Sequence, residues 1–88
     1  MKINKKDEVK EKIVELEGAK NVTIQILIGP EDGSENIIMR YFKILPNGHT
    51  PRHTHPFEHV AKVIKGKGIV INGEGNENEV SAGASIYV

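Results

Sequence analysis

PNGHTPRHTHPFEHVAKVIKGKG, residues 46–68, contains every histidine of an 88-residue chain. His49, His53, His55 and His59 fall within one window of eleven residues. Such a gathering suits a metal site, a general acid/base cluster or a polar loop. Strand side chains alternate, so His53 and His55 project to one side of an extended segment. Pro56 withdraws a ladder donor and biases His55 toward extended backbone. The Pro-Phe-Glu bend then lets His59, at the start of the next strand, meet the first two. The resulting H-x-H-x3-H pattern offers three neutral imidazoles from neighbouring strands. That is a donor set for one divalent transition metal, whether Mn, Fe, Zn, Ni or Cu. Acid/base use without a metal is weaker, because three clustered basic rings oppose one another's protonation and invite a cation. A polar loop accounts for His49 taken alone, and three ligands suffice for an open site. The expected metal ligands are therefore His53, His55 and His59.

Outward from this stretch the pattern is β. Upstream, NVTIQILIG (21–29) is β-branched and apolar and ends at Gly29-Pro30. IIMRYFKIL (37–45) is the longest β-prone run, and Pro46-Asn47-Gly48 predicts a turn that closes it. Downstream come VAKVIKG, then GIVING with a turn at Asn72-Gly73, a polar bend, EVSAG and ASIYV. Short strands separated by Gly/Asn turns predict an antiparallel barrel or sandwich. Before Asn21, the segment DEVKEKIVELE (7–17) has two competing readings. Val9, Ile13 and Leu16 at helical spacing suit a short helix, whereas Ile13 and Val14 suit an extended arm pairing with the sheet. The expected organisation is an N-terminal arm or short helix over 1–20 and a β domain over 21–88.

Composition narrows the function classes. Twelve basic residues balance twelve acidic ones with no basic stripe, so nucleic acid is not an expected partner. Cysteine is absent, which excludes disulfides and thiolate chemistry. No stretch approaches the roughly eighteen apolar residues of a membrane span, and no apolar run follows the basic start. No membrane association and a cytoplasmic setting are expected, and the sequon at Asn21 reads as chance. Gly66-Lys67-Gly68 and Gly73-Glu74-Gly75 lack the helix and lysine placement of a phosphate loop. Ser34, Ser81 and Ser85 sit in no nucleophile elbow.

The histidine stretch resembles the first motif of the cupin superfamily, in outline G-x5-H-x-H-x3-4-E-x6-G. His53 and His55 match the H-x-H pair, and Gly66 matches the closing glycine. Gly48 precedes His53 by one residue fewer than the motif has. His59 stands where the motif has glutamate, as in small single-domain cupins with an all-histidine site. The resemblance runs from about Glu17 to Val88. It implies a cupin double-stranded β-helix, or jelly-roll barrel, with the metal in its mouth. Gly83 and the five residues after it match the start of the second motif, G-x5-P-x-G-x2-H-x3-N, whose histidine would be a fourth ligand. The expectation is a barrel incomplete at its C-terminal end, or completed by another chain. The edge of ASIYV then invites a second copy, and a homodimer is expected.

Exchanging glutamate for His59 leaves a bound divalent ion with its full formal charge, which polarises a bound water toward a pKa of about 7. The resemblance implies a metal-dependent enzyme acting on a small organic substrate, an oxygenase or an isomerase. The alternative is a non-enzymatic binding module for a small sugar or carboxylate with a structural metal. Around the ligands, Glu58 alternates away from His59 and is expected outward. Arg52 is placed outside and Phe57 in the core. Arg40 facing inward would clamp a carboxylate, and Tyr41 facing inward would bring a phenol. With the register of 39–42 open, a surface Arg40 and a packed Tyr41 are the plainer expectation.

Overall fold

The computed structural model describes residues 1–51 and 58–88. Among them every regular element other than two 3-10 turns is a β-strand. The chain divides into two units, Met1–Arg52 and His53–Val88.

In the first unit, the stretch with helical spacing is an extended arm. After a 3-10 turn at Lys6–Glu8, β1 (Lys12–Ile13) pairs antiparallel with β2 (Lys20–Ile28), Lys12 opposite Ile24 and Ile13 opposite Thr23. Val14 N–H donates to Val22 O at 2.9 Å and extends the pairing. An isolated helix of this length is marginal in water, and here the arm's carbonyls have better partners. The buried Gln25 side chain donates both amide hydrogens, to Lys6 O and Val9 O, each at 2.8 Å. Those bonds satisfy an otherwise costly buried amide and fasten the arm across one face of β2.

A second fastening lies at the far end of β2. Asp32, in the 3-10 turn Pro30–Asp32, accepts Gly29 N–H at Oδ2 and the Asn4 side-chain amide at Oδ1, both at 3.0 Å. Asn4 also donates to Leu27 O at 2.9 Å, and Lys2 Nζ stands 3.7 Å from Asp32 Oδ1. The Asn4 and Gly29 hydrogen bonds, followed by the Lys2 charge, hold the Asp32 carboxyl below the usual carboxylate range. A depressed folded-state pKa stabilises the fold above the unfolded value, roughly 3.9, and that contribution is lost as pH falls through the folded pKa. The arm should therefore loosen selectively in acid, below about pH 4. Amide exchange at Gly29 accelerating there in the wild type, but already fast at pH 7 in Asp32→Asn, is the expected result.

β3 (Met39–His49) completes this sheet, in the order β1-β2-β3. Its central register sets Val22 opposite Ile44, Ile24 opposite Phe42, Gln25 opposite Tyr41 and Ile26 opposite Arg40. The turn expected at Pro46-Asn47-Gly48 does not close the strand. The ladder resumes beyond it with Lys20 opposite His49, so these residues form an irregularity inside β3. Proline has no N–H to give a ladder and suits this break. Asn47 takes a left-handed φ of 65°, and Asn21 across from it takes 52°, conformations that asparagine tolerates better than most residues. At Gly48 the backbones close in. A Cβ there would stand 2.7 Å from both Leu45 O and Lys20 O and 2.8 Å from Asn21 O.

The register, which sequence alone left open, assigns the two faces. Thr23, Gln25 and Tyr41 share the face beneath the arm, where Thr23 Oγ1 donates to Glu11 Oε2 at 2.6 Å. Lys6 Nζ sits 4.3 Å above the Tyr41 ring, and Tyr41 is half-buried. The opposite face carries Val22, Ile24, Ile26, Arg40, Phe42 and Ile44, residues opposite one another in a ladder sharing a side. Val22 is buried there at 2% exposure. Arg40 is a surface charge, as expected, yet it lies on the apolar side.

The second unit contains β4 (Val60–Lys62), β5 (Lys67–Ile71), β6 (Glu77–Ser81) and β7 (Ser85–Tyr87). β5 and β6 form a hairpin, Ile71 opposite Glu77. Its loop is built on Asn72, whose side-chain oxygen accepts the N–H groups of Glu74 and Asn76 at 3.0 Å. β4 pairs antiparallel with β7, Val60 opposite Tyr87 and Lys62 opposite Ser85. Between the ladders Val63 meets two residues: its N–H donates to Ala84 O, and its O accepts from Gly83 N–H. This is a bulge, with Gly83 at a φ of 98°.

Candidate metal centre

His59 is the expected ligand within the described residues. Its backbone exchanges both hydrogen bonds with Val88: His59 N–H to Val88 O at 3.2 Å, and Val88 N–H to His59 O at 2.9 Å. The β4–β7 ladder thus continues to His59 and fixes its backbone. Alternation then places its imidazole with Ala61 and Val63 on one side, opposite Ala84, Ile86 and Val88. On that side His59, Val63, Ala84 and Ile86 are half-buried while Ala61 and Val88 are exposed, and on the other side Val60, Lys62, Ser85 and Tyr87 are all exposed. The ring is therefore directed to the more enclosed side, and its Nε2 is withdrawn from solvent. That is where a ligand to a site shielded from bulk water is needed.

Glu58 is on the exposed side, as alternation requires. The Tyr87 hydroxyl donates to the Glu58 carboxylate, and this bond, with some desolvation, raises the Tyr87 phenol above its ordinary pKa. Losing the proton would set a phenolate against a carboxylate. Glu58 thus faces Tyr87 on the exposed side of the ladder. Tyr87 and Val88 are supports that reading the histidines alone missed, and the signal was available in strand parity once a partner strand was assigned.

His53 and His55 lie outside the described residues, as do Arg52 and Phe57. Among the described residues no three histidine or acidic side chains gather as a metal site. His49 is in the first unit, exposed at the end of β3 opposite Lys20. The imidazole of His59 fits the divalent ion that the H-x-H-x3-H pattern calls for: a ring nitrogen withdrawn from solvent, on a backbone held by two hydrogen bonds.

Comparison with known proteins agrees with the strand order. The polyketide cyclase RemF from Streptomyces resistomycificus is similar in structure, with a TM-score of 0.90 at 37% sequence identity. The likeness covers 100% of this chain and 63% of the RemF chain, so this chain spans less than two thirds of that protein. No curated protein matches. None of the helices among the described residues is long and apolar enough to cross a membrane. The model of the Cupin_2 family, the cupin domain, matches residues 40–88. With more than half its length matched and its strands in the all-β jelly-roll arrangement of RemF, the chain belongs to the cupin family.

Proposed function

We propose that this cupin binds one divalent transition metal (Mn, Fe, Zn, Ni or Cu) through His53, His55 and His59 and uses it on a small organic substrate. The observation that carries the reading is His59, fixed by reciprocal backbone bonds with its ring on the enclosed side of the β4–β7 ladder. A divalent ion held by three neutral imidazoles supplies Lewis acidity to a bound oxygen atom. The chain's own part is to hold His59 through its two backbone hydrogen bonds with Val88 and to keep its Nε2 withdrawn from bulk water. Of the two reaction types the family pattern allows, oxygenase and isomerase, likeness to a polyketide cyclase favours the redox-neutral one. A cytoplasmic setting and a homodimer belong to the same proposal. The dimer is supported by the open strand edges that two-stranded ladders leave.

Native mass spectrometry reads metal and copy number together. One metal per chain in a two-chain species is the expected result, and a metal-free monomer after loading with each candidate ion would overturn the reading. Because ligation needs unprotonated imidazole, affinity should fall as pH drops through about 6.5. Oxygen uptake separates the reaction types: none is expected with the loaded protein and a turnover substrate, and stoichiometric uptake would mean an oxygenase. The alternative, a binding module for a small sugar or carboxylate with a structural metal, predicts tightly held zinc and no turnover.

A further inference from the structure

The chain has two Asn-Gly pairs, Asn47-Gly48 and Asn72-Gly73, and the fold treats them in opposite ways. In such a pair the glycine leaves its backbone nitrogen unshielded, free to attack the side-chain amide before it. At Asn72 the loop between β5 and β6 supplies what that attack needs. The side-chain oxygen Oδ1 accepts two backbone N–H groups, those of Glu74 and Asn76, each at 3.0 Å. They polarise the amide carbonyl and face the negative charge that develops on Oδ1 under attack. Nucleophile and leaving group are both uncommitted. Among the described residues neither Gly73 N–H nor Asn72 Nδ2 has a hydrogen-bond partner. Beyond its two chain neighbours, no atom of the hairpin stands within 4 Å of a Cβ placed on Gly73. The frame around the pair is firm: Asn72 N–H donates to Asn76 O and Gly75 N–H to Asn72 O, both at 3.0 Å. Asn47 has none of this. No N–H meets its side chain among the described residues. Gly48 beside it is wedged where a Cβ would stand 2.7–2.8 Å from three backbone oxygens, which resists the rotation that ring closure requires.

We propose that Asn72 is a modification site at which the folded chain converts its own asparagine to aspartate and isoaspartate, through a cyclic imide with Gly73. Hydroxide takes the Gly73 amide proton, and the nitrogen attacks Asn72 Cγ to form a C–N bond. The Cγ–Nδ2 bond breaks, and Nδ2 leaves as ammonia with a proton from water. A second water opens the imide at either carbonyl, giving aspartate or isoaspartate. The net change is one water consumed and one ammonia released, with no oxidation or reduction. Either product sets a carboxylate where a neutral amide stood, close in sequence to Glu74 and Glu77. Aspartate keeps an oxygen for the Glu74 and Asn76 N–H groups, and its charge strengthens both bonds. Isoaspartate runs the backbone through Cβ, which lengthens the loop by one carbon and withdraws that acceptor. The hairpin therefore yields two aged forms of equal charge, one with the loop intact and one with it opened.

The full chain is incubated at neutral pH, folded or unfolded in guanidinium, and then digested with trypsin. Cleavage after Lys67 leaves Asn72 in residues 68–88, and cleavage after Lys43 and Arg52 leaves Asn47 in residues 44–52. Mass spectrometry times the exchange of amide for carboxylate in each peptide, and an isoaspartyl methyltransferase labels the isoaspartate form. Asn72 should convert about tenfold faster in the folded chain than in the unfolded one, as donors to a developing oxyanion require. Asn47 should convert more slowly folded than unfolded. Glu74→Pro, which removes one of the two donors, should slow folded Asn72 by about tenfold and leave Asn47 unchanged. Should that variant misfold, the comparison of folded with unfolded wild type decides by itself. Folded Asn72 converting no faster than unfolded Asn72, or Asn47 outpacing it in the folded chain, would overturn the assignment. So would an unchanged rate in a folded Glu74→Pro chain.

Discussion

Replacing His55 by alanine is expected to strip the purified protein of stoichiometric metal. On the proposed ligand set two of three imidazoles would remain, and the loss should exceed the 10–100-fold that removing even a supporting group beyond the ligands costs in affinity. The same change should erase the metal's contribution to stability. A ligand at about a hundred times its Kd stabilises a fold by about 2.7 kcal/mol, so a chelator should lower the wild-type Tm and leave that of His55→Ala where it was. His59→Ala should behave alike, although its backbone pairing with Val88 stays available and the β4–β7 ladder persists. His49→Ala should keep its full metal, because His53, His55 and His59 already supply the three ligands that an open site needs. Metal analysis of all three variants settles the ligand set. Retained metal in His55→Ala, or lost metal in His49→Ala, would show that the cation sits elsewhere.

Gly48→Ala is the substitution expected to damage the fold most. The added methyl would stand 2.7–2.8 Å from three backbone oxygens, those of Leu45, Lys20 and Asn21. None of these is the end of a flexible side chain, so relief requires moving β2 away from β3 where their ladder has been re-registered. Overpacking of this kind costs about 1–3 kcal/mol, and rigid surroundings place Gly48 at the upper end. For a domain of this size that is a fall in Tm of roughly 10–20 °C. Gly68→Ala is the matched control: nothing lies within 4 Å of its new methyl, and the change should stay within about 0.5 kcal/mol. Thermal melts by circular dichroism read both. A Gly48→Ala protein melting with the wild type would mean that the two strands approach less closely than described.

Much of the fold was legible because period-two patterns and turn residues agree along most of this chain. Ile24, Ile26 and Phe42 announce a one-sided sheet, and Asn72 announces the β5–β6 loop. Two features were not legible, for distinct reasons. Pro46-Asn47-Gly48 has the composition of a chain-reversing turn, but the same residues serve an irregular strand. Only the return of pairing at His49 with Lys20 tells the two apart, and that is a long-range fact. The arm at 7–17 has helical spacing, yet the buried amide of Gln25 captures carbonyls that a helix would have used, and Gln25 lies 16 residues beyond Val9. The histidine pattern stands out in the sequence through its spacing, while His53 and His55 lie outside the described residues. The supports of His59 do not stand out there, because Val88 and Tyr87 become its neighbours only through strand pairing.

The position of Tyr87 in β7 also makes the protein easy to watch. The chain has two tyrosines and no tryptophan, and the tyrosines are divided, Tyr41 in the first unit and Tyr87 in the second. Ultraviolet emission therefore comes from one fluorophore per unit, free of indole background. A Tyr41→Phe protein would glow only from the strand beside His59, and a Tyr87→Phe protein only from the sheet that carries Arg40. Each half can be followed optically through unfolding or ligand addition without an attached label.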